Sequence, residues 1–141
     1  MCTKTVVYLV ALALACGAGY GDETDTSGAE DLDESVRPKH CVSLTRIDRT
    51  EVVDDQNILF FMKGKQIYHN RLPHKCSGLS RRDTFMYRTS LNDLCNVDII
   101  TVLDDIGFGF SPGISCGLGM FYPTTQGQVA ELKAQLKRRK Q

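Results

Sequence analysis

"TEVVDDQNILFFMKGKQIYHNRL", residues 50–72, carries three strand signals in quick succession. Thr50–Val53 is rich in β-branched residues, and Ile58–Met62 is an apolar, β-prone run. "DDQN" between them is a row of turn formers. "KG" at 63–64 then predicts a tight hairpin into Gln66–Arg71, with Gly64 supplying the positive φ such turns require. A chain that folds back on itself twice within so short a stretch builds an antiparallel sheet.

Working outward, "LPHKCSGLSRRD" (72–83) reads as a loop broken by Pro73 and Gly78, and "TFMYRT" (84–89) as a fourth strand. "SLNDLC" (90–95) predicts one helical turn, with Ser90 as N-cap and Asp93 at the third helical position. "VDIITVLDD" (97–105) is the clearest strand. Ile99, Ile100, Val102 and Leu103 predict a central strand that is apolar on both faces. "GFGFSPGIS" (107–115) reads as a glycine-rich connection. "CGLGMFYP" (116–123) alternates, with Cys116, Leu118, Met120 and Tyr122 sharing a face. The last element is a helix: Thr125 and Gln128 form a capping-box pattern, and Val129, Leu132 and Leu136 fall at helical spacing. Lys137, Arg138, Arg139 and Lys140 follow where the helix dipole favours cations. The expected fold is therefore α+β and mainly β: a small antiparallel, barrel-like or strongly twisted sheet with a C-terminal helix, spanning residues 41–141.

Residues 1–15 have one positive charge, Lys4, and an apolar run from Val6 to Ala15. That run is too short to span a bilayer, which takes about 20 residues, and its layout is that of an export signal. Two cleavage readings compete. "ALA" at 13–15 suits an ordinary signal peptidase and a soluble periplasmic or secreted product. "LALAC" resembles the lipobox of bacterial lipoproteins, with Ala13 where leucine usually stands, and makes Cys16 the lipidated residue. Cysteine arithmetic favours the second. Of six cysteines, Cys2 leaves with the signal and lipid consumes Cys16, so Cys41, Cys76, Cys95 and Cys116 remain as two disulfides. Gly17 after Cys16, rather than Asp, resembles lipoproteins sent on to the outer membrane.

Residues 16–40 then read as a tether. The stretch 17–36 has seven acidic residues, no basic one and few bulky apolar side chains, a composition expected to be disordered. At about 20 residues it would reach roughly 25 Å. Whole-chain neutrality conceals an asymmetry. Sixteen of the 17 basic and ten of the 17 acidic residues fall in 37–141, a net charge near +6. Such a domain attracts anions; nucleic acid is not an expected partner in an envelope protein.

"VVDDQNILFFM" (52–62), "NRLPHKCSGL" (70–79), "YRTSLNDLCNVDIITVLDD" (87–105) and "SCGLGMF" (115–121), in that order, resemble a domain-of-unknown-function family of short exported proteobacterial proteins. The likeness covers roughly residues 41–122 and all four cysteines. It implies an envelope location and two disulfides, and it assigns no activity and no catalytic residue.

Several constellations carry chemistry in other settings. The cysteine gaps of 34, 18 and 20 residues lack the close pair typical of zinc sites, so no metal is expected from them with His40, His69 or His74. His69 and His74 alone make a weak copper or zinc candidate. Asp54–Asp55 and Asp104–Asp105 could serve a hydrolase as acid/base pairs, yet each follows a strand, where Asp commonly binds turn backbone. The glycines at 107, 109, 113, 117 and 119 precede a strand rather than the helix a phosphate loop needs. The preferred binding surface is Tyr68, His69, Asn70, Arg71, His74, Arg81 and Arg82, a mix of aromatic, amide and guanidinium groups suited to an anionic or sugar ligand. The expectation is thus an outer-membrane lipoprotein acting as a non-enzymatic binding or structural module, without cofactor, meeting the membrane, such a ligand or another envelope protein. A small Asp/His hydrolase and a soluble metal binder are the rivals. For the disulfides, strand adjacency favours Cys76–Cys95 with Cys41–Cys116.

Overall fold

Nine short strands and two helices follow from this sequence in the computed structural model, which describes residues 36–89 and 91–139. The expected signal peptide, Cys16, most of the expected tether, the expected Ser90 cap and Lys140 lie outside the described residues. The chain enters through β1 (Cys41–Ser43), a turn of 3-10 helix (Leu44–Arg46) and β2 (Ile47–Val52). The quoted stretch continues as β3 (Asn57–Met62) and β4 (Ile67–Arg71), antiparallel as expected, with Gly64 at φ +94° in the hairpin. Then come α1 (Leu79–Arg82), β5 (Phe85–Tyr87), β6 (Asp93–Cys95), β7 (Ile99–Asp105), β8 (Phe110–Gly117), β9 (Phe121–Thr124) and α2 (Gln126–Arg139).

The strands form three antiparallel sheets and no closed barrel: β2-β3-β4-β9, β5-β7-β8 and the pair β1-β6. The main core lies among them. The four-stranded sheet contributes Ile58, Phe60, Met62, Tyr68 and Phe121, the three-stranded sheet Ile100 and Val102, and the pair Val42 and Leu94. Phe60 and Phe121 meet edge to face, with centroids 5.3 Å apart. On the other face of the four-stranded sheet, Leu59, Phe61 and Ile67 pack against Val129 of α2, flanked by Val53 and Leu132. Every residue of β3 is buried as a result. Burying a large apolar side chain contributes about 1.5–3 kcal/mol, so this strand is the energetic centre of the fold.

The helix begins as its capping box predicts. Thr125 Oγ1 accepts from Gln128 N (3.3 Å), and Gln128 Oε1 accepts from Thr125 N (2.9 Å).

Four expectations need correction. The strand buried on both faces is β3, not β7. β7 is central in its sheet, but its outer face has no layer over it among the described residues, and Ile99 is 55% exposed. "NDLC" forms β6 rather than a helical turn, because pairing with β1 satisfies its backbone. The segment 110–115 is strand rather than connection, since β7 offers it a full ladder despite its Gly and Pro. The expected strand 116–123 is broken at Leu118–Met120, where the chain leaves the β7 ladder and crosses to pair with β4.

The disulfide pairing differs as well. Cys41 bonds Cys95, and Cys76 bonds Cys116. The formation of β6 explains the first bridge, because it sets Cys95 directly opposite Cys41 in the ladder. Cys116, opposite Ile100 and packed on the core, is then left to meet the fully buried Cys76. Two such bonds indicate an oxidising, extracytoplasmic environment. Among the described residues no helix is long and apolar enough to cross a membrane.

Candidate functional site

The four polar residues "DDQN" use their side chains as well as their backbone to make the β2–β3 turn. Asp54 Oδ1 accepts from Gln56 N (2.7 Å) and from Asn57 Nδ2 (2.8 Å), the self-bonding that suits Asp to turns. Because a carboxylate can only accept, this bond turns the Asn57 amide so that its Oδ1 faces His69. His69 Nε2 therefore donates to it (2.8 Å), which puts the proton of the neutral ring on Nε2. Burial, reinforced by the Arg71 guanidinium and opposed by Asp54, holds the His69 pKa below its ordinary value.

The same turn grips the segment after β4. Leu72 N donates to Gln56 O (2.9 Å), Gln56 Nε2 donates to Leu72 O (3.0 Å), and Cys76 N donates to Asp55 O (2.7 Å). Asp55 Oδ1 accepts from both Ser80 N (2.9 Å) and Ser80 Oγ (2.7 Å), while Lys75 Nζ lies 4.0 Å from Oδ2. Burial alone would raise the Asp55 pKa. The Ser80 bonds, Lys75 and the Gly78 backbone outweigh it, and the carboxyl lies below its ordinary value. With the Cys76–Cys116 bridge, these bonds fix residues 72–80 to the sheet at several points.

A cleft of about 280 Å³ opens here, lined by Asp54, Asp55, Gln56, Lys75, Ser80, Leu136 and Arg139. Ser80 donates its hydroxyl to the Asp55 carboxylate at the rim of this cleft. Among the described residues no group of three or more His, Cys, Asp or Glu is placed to hold a metal ion.

The expected binding residues separate into two groups. Tyr68 is buried in the core, and Asn70 is fully buried, bonded to the backbone of Gly119. His69 is half-buried beside Asn57, while Arg71, His74, Arg81 and Arg82 are exposed. Strand alternation explains the division, because Tyr68 and Asn70 share one face of β4 and His69 and Arg71 the other. Arg82 pairs with Asp104 of β7 and so ties α1 to the three-stranded sheet. Of the two aspartate pairs, Asp54–Asp55 builds the turn, whereas in the other Asp105 accepts from Gly107 N (2.8 Å). Gln56, Lys75, Ser80 and Arg139 were not expected at a site. The available signal was four consecutive polar turn residues without Gly or Pro, which leaves the side chains themselves to shape the turn.

Comparison with known protein families, with curated proteins and with solved structures finds no match.

Proposed function

We propose that this chain is a lipid-anchored protein of the bacterial outer membrane, facing the periplasm, and that it works as a non-enzymatic binding or structural module. One observation carries the binding reading. The segment 71–82 is held by the Asp55–Gln56 turn and by Cys76–Cys116, and it displays Arg71, His74, Lys75 and Arg81 exposed to solvent. A rigidly mounted loop with several exposed basic side chains is a common way to present a recognition surface. Guanidinium and ammonium groups suit an anionic group or an acidic sugar. The anchor reading rests on the pairing of all four domain cysteines with one another, which leaves Cys16 as the odd one of an exported chain.

Mass spectrometry of the protein from a bacterial membrane fraction tests the anchor. The expected N-terminal peptide begins at Cys16 and carries a diacylglyceryl group; an unmodified Cys16 in a soluble fraction overturns it. Titration of the isotope-labelled protein with a sulfated disaccharide and its neutral counterpart tests the surface. Amide shifts at residues 71–82 with the charged sugar alone are expected, and shifts elsewhere only would overturn this assignment.

A further inference from the structure

The tip of the β7–β8 hairpin is apolar and projects into solvent. Ile106, Phe108 and Phe110 are 49%, 93% and 62% exposed. Exposed apolar side chains are ordinary when scattered, but three within five residues, at the end of a hairpin, are not. The tip is also built. Ile106 N donates to Gly109 O (3.0 Å), Asp105 Oδ1 accepts from Gly107 N (2.8 Å), and Gly107 and Gly109 sit at φ +86° and +147°. Phe108 is thus held out at the apex by a hydrogen-bonded loop.

We propose that this tip inserts into the interfacial region of a phospholipid bilayer as a second point of membrane contact; this rests on the membrane-apposed location argued above. Size and shape select the occupant. The exposed parts of the three side chains amount to roughly 300–400 Å², at 150–250 Å² for a whole aromatic side chain. A stable protein interface takes about 800 Å² per partner. A second copy would also need an apolar socket for the ring. The clefts beside Asp55 and beside Thr125 are lined mainly by polar and charged side chains, and charged groups also edge the more apolar hollows at Val52–Val53 and at Val97–Ile99. A bilayer needs no socket, and aromatic rings settle at its headgroup level.

Charge decides the kind of contact. No Lys or Arg occurs between Leu103 and Cys116, Asp104 is paired with Arg82, and Asp105 is engaged with Gly107 N. The tip therefore has nothing to attract anionic headgroups, and its binding is apolar and insensitive to salt.

The chain contains no tryptophan, so F108W places a single indole at the apex, on a side chain that packs against little. The full chain carrying C16S and F108W is mixed with phosphatidylcholine vesicles. Expected are a blue shift of the indole emission, quenching by bromine-labelled acyl chains, and no reversal by high salt. Replacing Phe110 by Ser in the same chain weakens the vesicle dependence of the shift by about tenfold, the factor that goes with losing most of a buried aromatic side chain. An indole that stays in water when the protein co-sediments with vesicles overturns the proposal. So does a blue shift that grows with protein concentration without lipid, which would mean a second copy, or one seen only with anionic vesicles and lost in salt. Because the readout sits at position 108 and Cys16 is absent, this outcome is independent of whether Cys16 carries lipid in cells.

Discussion

Asn70 and Gly119, 49 residues apart in the chain, exchange two hydrogen bonds: Asn70 Nδ2 donates to Gly119 O (2.6 Å) and Gly119 N donates to Asn70 Oδ1 (2.9 Å). The fully buried amide thereby acts as a short piece of sheet. It clasps the chain where it leaves β8 and turns towards β9. A Cβ at position 119 would collide with the carbonyl oxygen of Arg71, so only glycine fits this approach.

Asn70→Ala should cost about 2–4 kcal/mol, because it strands the Gly119 N–H and C=O as well as removing both bonds. Gly119→Ala should cost more, since backbone rather than a side chain must move. Urea unfolding of the oxidised protein checks both, and a loss under 1 kcal/mol for Asn70→Ala would mean that water replaces the clasp.

The two bridges should differ in accessibility. Cys41 is exposed, whereas Cys76 is fully buried, so mild reductant should open Cys41–Cys95 first. Their loops of 54 and 40 residues differ little in closure entropy, and replacing either pair by serine should cost about 2–4 kcal/mol. Peptide mapping after partial reduction and alkylation reads the order. Label appearing first at Cys76 and Cys116 would contradict it.

His69 should make the fold acid-sensitive. Its pKa is depressed in the folded protein, so the unfolded chain binds the extra proton first. Its contribution is complete above the unfolded value of 6.5 and is lost as pH falls through the folded value. His69→Gln keeps a donor towards Asn57 and cannot titrate. Its stability should fall less than the parent's between pH 7 and pH 5, and parallel pH profiles for the two would count against this assignment.

Helix α2 should detach without unfolding the rest. Its buried anchor, Val129, belongs to the cluster with Leu59, Phe61 and Ile67, separate from the core between the sheets. Val129→Asp should raise amide exchange along α2 while β7 stays protected. Thr125→Ala, which removes the cap, should cost only about 1 kcal/mol. Global unfolding in Val129→Asp would show that the two clusters form one cooperative unit.

The parts legible in the sequence were those set by near neighbours. The β3–β4 hairpin follows from its apolar run and its Lys-Gly turn, and α2 from its capping box and helical spacing. The number of disulfides followed from counting. Their pairing did not, because it depends on β6 forming against β1, a contact between residues some 50 positions apart. β8 was obscured because its Gly and Pro mark coil locally, while the ladder with β7 overrides that preference. The expected surface failed to hold together for a reason that β4 itself carries. A period of two puts Tyr68 and Asn70 on the face opposite His69 and Arg71, and only the location of the core says which face is wet.

The Cys41–Cys95 bridge has a mechanical meaning. Any pull transmitted along the N-terminal segment reaches the domain through Lys39, whose two backbone bonds to Phe121 are the first to resist, and then through Cys41. Alone, the three-residue β1 ladder would unzip under modest load. The covalent link to Cys95 passes the tension directly to the strand beside it, and residues 42–94 become a closed ring that the load bypasses. Stretching from that end therefore cannot draw out residues 42–94, β3 among them, as extended chain while the Cys41–Cys95 bond is intact.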